Sequence, residues 1–313
     1  MVKLFLKIGV SLFLLAFFAI RADLEAMSAA FTGIQPAWYI LSLLAALSGP
    51  LIMSGKYRLL IARTSLDLPF FRLVAVNFIA RFYALFLPSA LGPEAVRWYK
   101  ITKNKKGKSF FLAATIVERL FFLLSLFACG AIPLLLAPDP TVQTLAARLW
   151  PALAITSLGF MLALTYFFWP GLQRVMQHRV ITMLRLSQES KVRIFLGNFS
   201  LKNLSLRIVG MLLAYTLLWQ ASFLARMYFL FLALDLPFGF LDVTWMGSLV
   251  MLLQVVPVSF GGLGVREGAF AYLFTLHGVQ TEAGVVVGML FFSQMLILCF
   301  VGWLCQLFEG YFE

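Results

Sequence analysis

The chain has 313 residues, of which 62% are hydrophobic and only 12% charged. A soluble domain with so few charges could not cover its own surface, so lipid has to be the solvent for most of this chain. The formal net charge of +12 then reads as affinity for anionic lipid surfaces rather than for nucleic acid.

In chain order, apolar runs that approach or exceed the length of a bilayer core fall at about 4–20, 37–55, 110–137, 149–169, 207–234 and 284–308. The first begins on Lys3 and Lys7, and Arg21-Ala22-Asp23-Leu24-Glu25 follows without a clean small-x-small cleavage site. It reads as an uncleaved helix rather than a removed leader. Two weaker segments, 73–91 and 243–277, each hold a Pro and one or more Gly near the middle or end. The stretch 170–206 is basic, with Leu184, Leu186, Val192, Ile194, Phe195 and Leu196 interspersed. A cytoplasmic helix lying against anionic headgroups is expected there.

Charge assigns the sides. Basic residues gather at Lys3 and Lys7, at Lys56, Arg58, Arg63 and Arg72, from Arg97 to Lys108, and from Arg174 to Arg207; these clusters hold 19 of the 25 Lys and Arg. By the positive-inside rule they belong in the cytoplasm, with the N-terminus, while the acidic loops around Asp23, Asp139, Asp235, Asp242 and Glu282 face outward. Segment 73–91 then starts and ends on the cytoplasmic side, and 243–277 on the outer side. Each is expected to enter the bilayer and return as a re-entrant or broken hairpin, buried in protein because lipid cannot satisfy bent backbone. The expected class is an all-α polytopic membrane protein, with about six full spans and two such hairpins, forming a single transmembrane domain over 1–313.

Both hairpins carry one skeleton: Pro88-x3-Gly92-x4-Arg97 and Pro257-x3-Gly261-x4-Arg266, 169 residues apart. The same offset carries 37–55 onto 207–234 and 110–137 near 284–308, although the first span of each half does not fit it. An inverted repeat of 1–140 and 145–313 is one reading; chance similarity between two Pro/Gly-rich turns is the other. Paired broken segments in corresponding halves are a pointer to a substrate site.

Ionisable residues at membrane depth are costly, so each is a functional candidate. Gly92-Pro93-Glu94-Ala95-Val96-Arg97 has the form of a helix start, with Pro and an acidic residue suited to the first turn. It serves either as an anion site or as an ordinary cytoplasmic cap. Gly261-Gly262-Leu263-Gly264-Val265-Arg266-Glu267 allows close backbone approach before a second half-helix at roughly 265–277. A phosphate there would meet N–H groups, a helix dipole and a guanidinium fork; the plainer reading is a tight reversal. Glu118 and Arg119, adjacent in a span, point about 100° apart and cannot simply pair with each other. Glu118 is expected to meet Arg97 or Arg81, and Arg119 the other hairpin or substrate, unless both belong to a structural ion-pair network. Arg81 and Arg226 sit in apolar runs and need a carboxylate or phosphate partner. The substrate-contact set is therefore Arg81, Gly92, Glu94, Arg97, Glu118, Arg119, Gly261, Gly262, Gly264, Arg266 and Glu267. Cys129, Cys299, Cys305, His178 and His277 fit no metal or redox spacing, and no cofactor is implied.

At these motifs the chain resembles the lysylphosphatidylglycerol synthase transmembrane-domain family, the flippase-like integral membrane proteins. The resemblance rests on Pro88 through Arg97, on Val117-Glu118-Arg119-Leu120, and on Val256-Pro257 through Gly268. It implies movement between leaflets of aminoacylated phosphatidylglycerol, polyprenyl phosphate or another anionic lipid of the inner membrane. It also implies that Glu94, Arg97, Glu118, Arg119, Arg266 and Glu267 carry that work. Many members place an acidic residue three positions after the Arg of Glu-Arg, where this chain has Phe122; that departure puts cation or proton coupling there in doubt. The soluble aminoacyltransferase domain of bifunctional members is not expected. Two rival readings stay open: a membrane transferase acting on a lipid phosphate, and an accessory subunit of a lipid or glycan synthase. The former lacks a clustered set of acids or another evident catalytic constellation. Homo-oligomerisation is also open.

Overall fold

The computed structural model describes residues 31–62, 68–87, 92–103, 108–183, 206–255, 259 and 262–309. Ten helices make up the described part: α1 (Pro36–Ile61), α2 (Phe70–Ala84), α3 (Gly92–Thr102), α4 (Lys108–Leu136), α5 (Pro140–Phe168), α6 (Pro170–Met183), α7 (Leu206–Ala233), α8 (Phe240–Val255), α9 (Val265–Leu276) and α10 (Thr281–Leu307). The protein is an all-α, multi-pass membrane protein. Five helices, α1, α4, α5, α7 and α10, are long and apolar enough to cross a membrane. The expected spans 4–20 and the Leu184–Leu196 stretch lie outside the described residues, as do Pro88, Pro257 and Gly261.

Local chemistry sets where the long helices start. Pro36 and Pro140 occupy the first helical turn of α1 and α5, where a missing N–H costs nothing. Asp139 caps α5 by accepting from the Thr141 N–H at 2.7 Å. This cap starts α5 nine residues earlier than the expected 149–169. Helix α1 likewise runs past the expected 37–55 to Ile61, and Lys56, assigned above to a cytoplasmic flank, is inside it and only 2% exposed. The helix runs past the lysine because Tyr57, Leu59, Leu60 and Ile61 continue the apolar pattern, with Tyr57, Leu60 and Ile61 buried.

The two weak segments are pairs of short helices. At 15 and 16 residues, α2 and α8 reach roughly 22–24 Å, short of the ~30 Å hydrocarbon core. Helices α3 and α9 follow them. The first expected hairpin, 73–91, ends before α3, so the observed unit is longer than the expectation. Between α8 and α9 the chain turns through Gly262 and Gly264, at φ +79° and +80°, a region open to glycine at little cost. A Cβ on Gly262 would also stand 2.6 Å from Gln254 Oε1.

Helix α1 packs on α7, α2 on α10, α8 on α4, and α9 on α10. Helices α1 and α7 run antiparallel, joined by Ser42 Oγ donating to the Arg226 carbonyl (2.8 Å) and by Ser48 Oγ with Ser222 Oγ (2.7 Å). Such hydroxyl contacts and small residues replace the hydrophobic drive that lipid removes. Helix α10 uses glycines in the same way. A Cβ on Gly302 would fall 2.1 Å from the Phe78 carbonyl oxygen of α2, and one on Gly284 2.5 Å from the Ala271 nitrogen of α9. Phe231, Phe238, Phe270 and Phe274 form an edge-to-face and tilted aromatic core that ties α7 to α9 and to the turn before α8.

Candidate functional site

The first hairpin sets its charges against α1 and α4. Glu94, in the first turn of α3, presents Oε1 to Arg97 NH1 at 3.3 Å and to Arg119 NH1 of α4 at 3.2 Å. Its other oxygen, Oε2, is buried with no hydrogen-bond partner among the described residues. The Arg97 guanidinium lies 6.0 Å from the Tyr57 ring centroid of α1 and that of Arg119 4.8 Å from Phe122. Phe122, the departure noted above, thus supplies a ring face to the cation in place of a carboxylate.

Glu118 does not meet Arg97 or Arg81. Its partner is Lys56 Nζ, and the pair is almost fully buried between α1 and α4. Arg119 likewise turns to Glu94 of the first hairpin, not to the second hairpin. The two neighbours take separate partners, as their angular offset favours. Arg81, on α2, has a buried Nε without a partner among the described residues, and its carbonyl accepts from Cys299 Sγ of α10 at 3.3 Å. Gly92 opens α3 against Leu87, whose Cβ would lie 2.6 Å from an added methyl; that contact is packing.

The second hairpin builds a tighter unit. Glu267 Oε2 accepts from the Gly264 N–H at 2.7 Å, capping α9 from within. Its Oε1 accepts from Arg266 Nε (3.1 Å) and NH2 (2.5 Å). Both side chains are 1% exposed, and Arg266 NH1 is left buried without a partner among the described residues. Adjacent residues pair here because Glu267 folds back to the helix start and the long Arg266 side chain reaches its Oε1.

Arg226 of α7 stands beside this unit, with no carboxylate among its hydrogen-bond partners. Nε donates to Gln294 Oε1 at 2.7 Å and NH2 to the Phe291 carbonyl at 3.0 Å. Gln294 in turn donates to Ser42 Oγ at 2.9 Å. The Phe291 ring lies 3.6 Å from the Arg226 guanidinium and 5.0 Å from that of Arg266. Helix α10 therefore meets three arginines in turn: Arg266 and Arg226 at the Phe291 ring, Arg226 again at Gln294, and Arg81 at Cys299, whose Sγ donates to the Arg81 carbonyl at 3.3 Å. Lys56, Arg226 and Gln294 are the members that reasoning from the sequence left out of the contact set. A lysine followed by more apolar residues, and an arginine already visible in an apolar run, were the available signals.

A family model described as "Lysylphosphatidylglycerol synthase TM region" matches residues 4–302. No curated protein matches the chain, and neither does any solved structure. With almost its whole length covered by that match, the chain belongs to the lysylphosphatidylglycerol synthase TM region family.

Proposed function

We propose that this protein binds the anionic headgroup of a membrane lipid between its two broken hairpins and moves it between leaflets, in the manner of a flippase. The observation that carries the reading is the set of buried guanidinium nitrogens that lack a partner among the described residues, Arg81 Nε, Arg97 Nε and Arg266 NH1. Arginine stays protonated in proteins, and a cation at membrane depth is kept there at a cost that a bound anion repays. The acyl chains would remain in lipid.

The helix pairing supports an inverted repeat as the moving part. If α1 corresponds to α7, α2 and α3 to α8 and α9, and α4 to α10, then exchanging the halves turns the α2–α10 contact into α8–α4. It leaves the antiparallel α1–α7 contact on the pseudo-axis. Rocking of one half against the other about that axis gives alternating access. The same reading puts the protein in the inner membrane with the N-terminus in the cytoplasm.

The test is a leaflet-resolved assay in proteoliposomes, following a fluorescent anionic phospholipid or a polyprenyl phosphate with a membrane-impermeant quencher. Protein-dependent exchange that falls at least about tenfold in Arg97→Gln and Arg266→Gln is expected, each removing roughly 1.4 kcal/mol or more of headgroup stabilisation. Exchange at wild-type rates in both variants would refute the reading.

A further inference from the structure

We infer that the headgroup this site is built for carries two or more negative charges, as in a lipid diphosphate or a lipid with two phosphodiesters, and that Arg81 and Arg226 set that preference. The inference rests on the proposed anionic-lipid reading and narrows its substrate class.

The argument is a balance of charge. Around the first hairpin, Lys56, Arg81, Arg97 and Arg119 face Glu94 and Glu118, leaving two cations uncompensated among the described residues. Around the second, Arg266 pairs with Glu267, while Arg226, which shares the Phe291 ring with Arg266, has only neutral partners among the described residues, leaving one more. The remaining described carboxylates stand elsewhere: Asp139, Asp235, Asp242 and Glu282 at the acidic loops, and Glu309 on Lys100.

Neutral partners do not remove this excess. Arg226 spends its hydrogen bonds on an amide oxygen and a peptide carbonyl, which orient the guanidinium and leave its full charge in place. Phe291, placed beside both Arg226 and Arg266, contributes a ring quadrupole to each. A monoanionic phosphodiester would cancel only one of the three excess charges. An aminoacylated headgroup would bring ammonium groups with its phosphate and cancel none. A headgroup with two or more charges could engage both hairpins at once, using the bifurcated donors of separate arginines. Arg226 and Arg81 follow Arg266 along α10, at Phe291, Gln294 and Cys299, between the residues that pair at the two hairpins. A single phosphate held by one hairpin would leave them unused.

Retention of probe lipids by the purified full-length protein tests this. The chain is reconstituted in phosphatidylcholine nanodiscs doped with equal amounts of phosphatidylglycerol, lysyl-phosphatidylglycerol, cardiolipin, a polyprenyl monophosphate and a polyprenyl diphosphate. Native mass spectrometry then counts which lipids stay bound. The expected result is enrichment of the diphosphate or of cardiolipin over phosphatidylglycerol by about tenfold or more, with the lysyl derivative below both. Enrichment of the diphosphate together with the monophosphate, a monoester of charge about −1.5 to −2 at neutral pH, identifies a compact multiply charged headgroup; enrichment of cardiolipin alone identifies two separated phosphates.

Arg226→Gln should bring the dianion-to-monoanion ratio to within about threefold while phosphatidylglycerol retention persists. Arg81→Gln, judged by the dianion-to-monoanion ratio alone, serves as the independent variant should Arg226→Gln fail to fold. Equal retention of monoanionic and dianionic lipids above neutral lipid overturns the inference and leaves the translocase reading intact. Retention of no anionic lipid overturns both. A ratio unchanged in the folded variants overturns the assignment of Arg81 and Arg226.

Discussion

Lys56 and Glu118 form an ion pair whose two side chains are 2% and 4% exposed, joining α1 to α4 in the middle of the first half of the molecule. Desolvation cancels much of the attraction in such a pair, but removing one partner strands the other as a bare buried charge. Lys56→Met and Glu118→Leu, made singly, should each destabilise the protein by about 3–5 kcal/mol. The double variant should recover most of that loss. Thermal unfolding in detergent measures it, and additive losses would mean that the two charges are not mutually dependent.

Close helix approach makes a second prediction. At Gly302 a methyl group would penetrate the backbone of α2, 2.1 Å from the Phe78 oxygen, whereas at Gly159 of α5 nothing lies within 4 Å. Gly302→Ala should therefore cost about 1–3 kcal/mol through forced separation of α10 from α2. Gly159→Ala should gain up to about 1 kcal/mol from helix propensity alone. Opposite shifts in melting temperature are expected; two shifts of the same sign would contradict the packing described here.

The end of α3 is fastened to the end of α10 by Lys100, whose Nζ donates to Gln306 Oε1 at 2.9 Å and to Glu309 Oε2 at 2.5 Å. Burial alone would raise the Glu309 carboxyl, but the bonds from Lys100 and Gln306 outweigh it and hold the group below its usual value of 4.5. A carboxyl depressed in the folded state contributes stability that is fully present above the unfolded value and is lost as pH falls through the folded one. The wild type should exceed Glu309→Gln by about 0.5–1 kcal/mol at neutral pH. That margin should close only below about pH 4.5, as read by melting temperature against pH in buffered detergent. A margin that does not change with acidification would remove the carboxylate from the account.

Much of this arrangement could be read from the sequence because breaks and charges stand out against apolar runs. Pro88, Gly92, Pro257 and the glycines at 261, 262 and 264 interrupt patterns that lipid would otherwise keep continuous. Arg81, Glu94, Arg97, Glu118, Arg119, Arg266 and Glu267 are conspicuous because membrane depth penalises them. What could not be read was which charge meets which. Lys56 was grouped with flanking cations because hydropathy shows where a run weakens, not where the helix packs. Its pairing with Glu118 needs α1 and α4 side by side, a contact between residues 62 apart in sequence. Arg226 was visible, but its neutral partners, Gln294 and the Phe291 carbonyl, come from α10 and carry no charge pattern to follow.

The contact on the proposed pseudo-axis gives the most direct test of motion. Ser48 Oγ of α1 and Ser222 Oγ of α7 are 2.7 Å apart, so cysteines at these positions fall within reach of a disulfide after a small rotamer adjustment. In a background with Cys129, Cys299 and Cys305 replaced by serine or alanine, Ser48→Cys with Ser222→Cys should cross-link on mild oxidation. If the halves rock about α1 and α7, small rotations there are tolerated at the axis itself, and the cross-linked protein should still exchange lipid within about threefold of the reduced rate. Cross-linking α2 to α10 near Phe78 and Gly302, away from the axis, should instead stop exchange until reductant is added. The reverse pattern, a silent bridge between α2 and α10 and a blocking one between α1 and α7, would show that the halves slide along α1 and α7 rather than turn about them.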